Sequence, residues 1–148
     1  MFDRFARNPL PVFVAVFTVT LLVVGLGAQR PASKTTKERV YSAPQAARGE
    51  QTYMSSCVSC HPPATYKGAV FLNWQGRSLG DLLAFLSEKM PKNDPGSLSA
   101  KEYTQVMAFL LKINGMPAGR GDLPADPAAL KGITINILPD KMLSSHHP

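Results

Sequence analysis

Two cysteines and a histidine concentrate the reactive chemistry of this chain in five residues, Cys57-Val58-Ser59-Cys60-His61. The pattern C-x-x-C-H is the attachment signature of a c-type haem. Two thiols three residues apart on a helical turn can reach the two vinyl groups along one porphyrin edge, and the adjacent His61 can then serve the iron as proximal ligand. Two other chemistries use paired cysteines. A thioredoxin-like dithiol sits beside a βαβ pattern, and none is readable here. A structural zinc site needs four ligands, and the other histidines, His146 and His147, lie close to the C-terminus. The chain has 2 cysteines, both in the motif, so one covalently bound haem c is expected and no disulfide.

A haem held on one side by His61 needs a partner on the other. A thioether raises the potential and closes the iron to substrates, which favours electron transfer. Of the 6 methionines, Met54 lies too close to Cys57 to cross to the opposite face. Met107 falls on a helix packing face, and Met142 lies in the C-terminal tail. Two Met-Pro pairs remain, Met90-Pro91 and Met116-Pro117. Met90 continues the apolar stripe of the helix before it and leaves that helix at a proline, which aims its sulfur inward. Met90 is therefore the expected sixth ligand, with Met116 a packing residue.

The elements that position these residues are helical. Pro44 to Cys57 reads as a first helix, with Pro44 suited to its first turn and Ala46, Gly49, Tyr53 and Cys57 near one face. Gly49 costs about 1 kcal/mol against alanine in a helix interior. Close approach of another helix there would explain its use; a tolerated surface glycine is the plainer reading. His61 to Gln75 has no period, and Pro62, Pro63 and Gly68 interrupt it. Ser78 to Lys89 reads as a second helix, opened by Ser78-x-x-Asp81 and striped by Leu79, Leu82, Leu83 and Leu86. A third follows the capping box Ser99-x-x-Glu102 and carries Tyr103, Val106, Met107, Leu110 and Leu111 on one face, ending at Asn114-Gly115. Leu130, Ile133, Ile135 and Ile137 are expected to lay an extended segment on the domain surface. The fold class is all-α: three main helices around one haem, preceded by an N-terminal hydrophobic helix.

Around the haem, Leu79, Leu82, Leu83 and Leu86, with Phe85, are candidates for a dry pocket. Trp74, the one tryptophan, has an indole N–H that suits a haem propionate, and Arg77 suits the same carboxylate. The plainer alternatives are a core aromatic and a solvated guanidinium.

The net charge of +6 is unevenly placed. Residues 29–43 carry a balance of +3 and read as a basic flexible linker, whereas residues 44–148 carry +2. No basic stripe interleaved with aromatics occurs, which argues against nucleic acid. Leu10 to Ala28 runs 19 residues without a charge behind Arg4 and Arg7. Residues 1–28 thus read as a signal-anchor helix or as a cleaved signal peptide. Both place the domain, residues 44–137, on the periplasmic side of a bacterial inner membrane, either anchored through the N-terminal segment or soluble after cleavage. Residues 138–148 read as a flexible tail.

Three short helices, C-x-x-C-H at the end of the first and Met-Pro before the last resemble the class I cytochromes c. Gly49 and Tyr53 look like the glycine–aromatic pair that packs on the C-terminal helix near Phe109 in that family. Trp74-x-Gly76-Arg77-Ser78-Leu79, Met90-Pro91, Pro95-Gly96-Ser97-Leu98-Ser99 and Asn114-Gly115-x-Pro117-Ala118-Gly119 look like the monohaem cytochromes that accompany quinoprotein dehydrogenases. The resemblance spans about Pro44 to Ile137. It implies an electron carrier rather than an enzyme, working between a donor dehydrogenase and an acceptor oxidase or quinol-linked complex. The alternative is a haem-containing subunit of an oxidoreductase complex, such as a peroxidase or sulfur-compound oxidoreductase. Lys67, Lys89 and Lys92 are candidates to rim the haem edge and steer an acidic partner, with ordinary solvated lysine the plainer reading for each. The sequence departs from the family where 28 residues separate His61 from Met90 and Pro62-Pro63 replaces glycine. The carbonyl that would orient His61 is not evident.

Overall fold

A computed structural model describes residues 34–137. The segments read as anchor or signal and as C-terminal tail, 1–28 and 138–148, lie outside the described residues, as do 29–33. In order, the elements are β1 (Lys34–Thr35), a 3-10 turn (Thr36–Glu38), α1 (Ala43–Ser56), a 3-10 turn (Pro63–Tyr66), α2 (Ala69–Leu72), α3 (Leu79–Lys89), α4 (Ala100–Ile113), α5 (Pro127–Lys131) and β2 (Ile133–Thr134). Mostly helical, with α1, α3 and α4 as its three long helices, the domain has the expected all-α architecture. Among the described residues no helix is long and apolar enough to cross a membrane.

Local sequence starts and stops each long helix. The Ser42 hydroxyl accepts from the Gln45 N–H at the start of α1. Ser78 with Asp81, and Ser99 with Glu102, form reciprocal capping boxes on α3 and α4. The same bonds hold the Asp81 carboxyl, and likewise that of Glu102, below the usual carboxylate range. α3 ends at Met90, whose backbone turns extended before Pro91.

α1 crosses α4 at Gly49. A Cβ at that position would overlap the Gln105 carbonyl and lie 2.9 Å from the Val106 nitrogen, so the two backbones touch. One turn later the Tyr53 ring packs on Phe109, centroids 5.1 Å apart and tilted by 53°. Tyr103 to Leu111 of α4 are all buried, because α4 is covered by both α1 and α3. The core formed by these helices includes Ala46, Tyr53, Leu79, Leu83, Met107 and Leu111.

Two sequence expectations are corrected here. The polar segment read as a flexible linker over 29–43 is, from Lys34 onward, packed structure. β1 pairs in parallel with β2 in the register Lys34–Ile133 and Thr35–Thr134. Thr36, Tyr41 and Ser42 are buried, and the Tyr41 hydroxyl donates to the Met116 carbonyl at 2.6 Å. Its composition suggested a tether because from Lys34 to Ala43 only three apolar side chains, Val40, Tyr41 and Ala43, occur; backbone and hydroxyl hydrogen bonds replace a hydrophobic stripe. The second correction concerns the far end. Leu130 lies in the short helix α5, and Leu130 and Ile135 are fully buried rather than spread on the surface. The Ile135 N–H donates to the Arg77 carbonyl at 2.8 Å, and its carbonyl accepts from Gly76 at 2.9 Å.

The C-terminal segment is tied to α1 by one buried side chain. Gln45 donates through Nε2 to the Leu123 carbonyl at 3.0 Å and accepts from the Leu123 N–H at 2.7 Å. Replacing Gln45 by leucine strands both groups, and each buried orphan costs about 1–3 kcal/mol. Gln45→Leu should therefore lower the thermal midpoint of the holoprotein by at least about 8 °C. Gly49→Ala forces the α1–α4 backbones apart; overpacking of this kind costs about 3 kcal/mol or more, so calorimetry should show a drop exceeding about 10 °C.

Candidate functional site

The reactive motif occupies the turn that follows α1. The Cys57 N–H donates to the Tyr53 carbonyl at 2.9 Å, and the Cys57 carbonyl accepts from Cys60 at 3.2 Å and from His61 at 2.9 Å. This coil turns Cys57, Cys60 and His61 onto one cavity of about 430 Å³, within the usual range for ligand sites. Met90, at the exit of α3, lines the same cavity. The walls are Leu82, Phe85 and Leu86 of α3 and Val106 and Leu110 of α4, closed by Phe71 and Trp74. Two thiols, an imidazole and a thioether thus share one largely apolar cleft. The volume, the apolar walls and this nitrogen–sulfur donor set fit a flat hydrophobic tetrapyrrole carrying iron.

Hydrogen bonds fix His61 and Met90 in the cleft. The Tyr53 hydroxyl donates to the His61 carbonyl at 2.6 Å. The Tyr66 hydroxyl lies 3.1 Å from His61 Nδ1, with its ring edge-on to the imidazole. At Met90, the Tyr103 hydroxyl donates to the backbone carbonyl at 2.6 Å and accepts from the Gly96 N–H at 3.1 Å. Burial pushes the Tyr53 phenol up to about 12, with Tyr66 and Cys57 adding to the shift. Burial likewise raises Tyr66, with Cys57 as the second cause, and raises the Cys57 thiol itself. Both phenols are therefore neutral at physiological pH, and the part due to Cys57 vanishes once its sulfur becomes a thioether.

The structure sorts the expected pocket residues. Leu82, Leu86, Phe85 and Trp74 line the cavity; Leu79 and Leu83 do not. Those two leucines are buried in the core instead, because α3 packs against α4 and α5 and divides its apolar stripe between core and cavity. Arg77 also lies outside the lining. Its guanidinium stacks on the Trp74 ring, 4.3 Å from the centroid, while Phe85 meets that ring edge-on at 5.4 Å. Lys92 lines the cavity, whereas Lys67 and Lys89 are exposed residues outside the lining. Among the other described methionines, Met54 is 47 % exposed and Met107 is fully buried in the core. Met116 is buried elsewhere, its sulfur accepting from the Thr36 hydroxyl at 3.6 Å. Sequence reasoning missed Tyr66 and did not see that Tyr103, read as a packing residue, clamps Met90. The only local sign was a tyrosine five residues beyond His61 in a loop tightened by two prolines.

Comparison with known families agrees with this geometry. The family model described as cytochrome c oxidase, cbb3-type, subunit III matches residues 44–110, from the first turn of α1 to near the end of α4. No curated protein and no solved structure matches the chain. The matched segment holds the C-x-x-C-H motif, the cavity and both long walls, and the match supports a class I c-type cytochrome domain over these residues. Its cofactor is one covalently attached haem c, and its activity is haem-based electron transfer. Among the described residues no three His, Cys, Asp or Glu side chains gather to hold a metal ion.

Covalent attachment gives a direct test. Haem staining of the denatured protein on a gel should persist in the wild type and weaken but survive in Cys57→Ser or Cys60→Ser. The double variant should lose it, and mass spectrometry of the denatured chain should show one haem before the change and none after.

Proposed function

We propose that this chain is a monohaem electron carrier on the periplasmic side of a bacterial inner membrane, with His61 and Met90 as the axial ligands. The observation that carries the reading is that these two side chains, separated by 28 residues in the sequence, line one apolar cavity with Cys57 and Cys60. When bound, the haem supplies an iron that alternates between ferrous and ferric. The protein's part is to hold, shield and tune it. Cys57 and Cys60 prevent dissociation. His61 and Met90 leave no position for a substrate, which separates a carrier from a haem enzyme. Leu82, Phe85 and Leu86 keep water from the ring, which raises the potential by disfavouring the more highly charged ferric site. Trp74, with its stacked Arg77, is the candidate for the propionate side, where a guanidinium favours carboxylate. Lys92 at the cavity mouth, with Lys67 and Lys89 on the exposed surface, supports an acidic docking partner.

The partners we propose are a donor dehydrogenase and an acceptor oxidase or quinol-linked complex, with a quinoprotein dehydrogenase the donor suggested by the motifs around Trp74 and Met90. The N-terminal apolar run supports a membrane tether or an export signal. A second reading is favoured by the family match, whose description is of an oxidase subunit. In that reading the haem relays electrons within a fixed complex. Purification of the native protein in mild detergent distinguishes the two: an oxidase at fixed stoichiometry supports the relay, and a lone cytochrome supports the carrier.

Met90→Ala tests the ligand set. The far-red band of thioether–iron ligation should vanish from the ferric spectrum, and cyanide should bind within mixing time. The potential should fall by about 0.1–0.3 V, part of the roughly 0.8 V that axial ligands span. A wild-type protein without that band, open to cyanide at once, would sink the carrier reading.

A further inference from the structure

The loop after His61 contains a hydrogen-bond chain that electron transfer as described does not use. The Tyr66 hydroxyl is 3.1 Å from His61 Nδ1, and its ring meets the imidazole at 62° with centroids 5.3 Å apart. Tyr66 is itself held from α4. Asn114, at the C-cap of that helix, donates through Nδ2 to the Tyr66 carbonyl at 2.8 Å and to the Leu110 carbonyl at 2.8 Å. Its Oδ1 accepts from the Gly68 N–H at 3.0 Å. One amide side chain thus ties both flanks of Lys67 to the last turn of α4. No backbone carbonyl bonds to Nδ1 among the described residues.

A histidine that ligates through Nε2 carries its proton on Nδ1, and the partner of that proton sets the ring orientation and basicity. With Nδ1 as donor, the phenol oxygen is the acceptor. A neutral phenol accepts more weakly than a carboxylate, so it fixes the ring while adding little electron density to it. The length of the post-haem loop fits this role. Pro62 and Pro63 stiffen its start, the 3-10 turn Pro63–Tyr66 swings the tyrosine back, and a hydroxyl then reaches the ring.

We propose that Tyr66 is the positioning residue for His61, accepting its Nδ1 proton through the phenol oxygen, and that Asn114 holds Tyr66 in that place. The proposal rests on His61 being the proximal ligand.

The test uses the full-length, haem-loaded protein. In proton NMR of the reduced wild type, ring-current-shifted His61 protons establish His61 as a ligand, and their absence overturns both readings. With them present, a cross-peak between the His61 Nδ1 proton and the Tyr66 ring is expected; its absence overturns this proposal alone. Tyr66→Phe removes one oxygen and keeps the ring. At a fixed solution poise it should raise the ratio of reduced to oxidised protein about threefold, or ~28 mV at 59 mV per tenfold. Asn114→Ala keeps the hydroxyl but frees the loop, and should shift the ratio the same way by less while speeding exchange of the Nδ1 proton. A Tyr66→Phe protein that melts lower yet keeps the wild-type ratio shows a merely structural tyrosine and overturns the proposal. Should Tyr66→Phe fail to fold, the wild-type cross-peak and Asn114→Ala decide the matter by the same criteria.

Discussion

The backbone contact of α1 with α4 at Gly49 is the constraint on which the rest of the domain depends. A side chain of any size would part the helices there. With them in contact, Tyr53 reaches Phe109 one turn on. The C-x-x-C-H coil begins where α1 ends, and both thiols and His61 line one cavity with Val106 and Leu110. The roughly 1 kcal/mol that glycine costs within a helix is small beside the packing it permits.

Around that crossing, three tyrosines divide the work of holding His61 and Met90. Tyr53 bonds the His61 backbone, Tyr66 meets the His61 ring, and Tyr103 bonds the Met90 backbone. Each offers a large apolar ring to the packing and a single polar atom to a specific partner. In a cavity meant to stay dry, this satisfies carbonyls and a ring nitrogen without admitting water. No buried side-chain nitrogen or oxygen among the described residues lacks a partner. α3 serves two surfaces at once, sending Leu79 and Leu83 to the core and Leu82, Phe85 and Leu86 to the cavity.

The two chain segments flanking the helical core close on each other. β1 and β2 pair, Gly119 donates to the Tyr41 carbonyl at 2.6 Å, and Ser42 and Arg48 both bond Asp122. Exposed ion pairs such as Arg48–Asp122 contribute little, so the buried Gln45–Leu123 pair and the Tyr41–Met116 bond carry more of this closure. Because Ile135 bonds the backbone at Gly76 and Arg77, the same closure reaches the loop that presents Trp74 to the cavity.

What the sequence determined by itself was local. The haem motif, the capping boxes of α3 and α4, the glycine at the helix crossing and the methionine at a helix exit are each readable because their physics runs over three or four residues. The division of α3's leucines was not readable, since one apolar stripe looks the same whether it faces a core or a cofactor. Tyr66 was hidden for a related reason: its partner His61 is near, but its holder Asn114 is 48 residues away. The segment from Lys34 to Ala43 was the furthest from view. Its order comes from hydrogen bonds to residues about 75 to 100 positions later, and polar residues whose partners are so distant read as a tether until the fold brings those partners alongside.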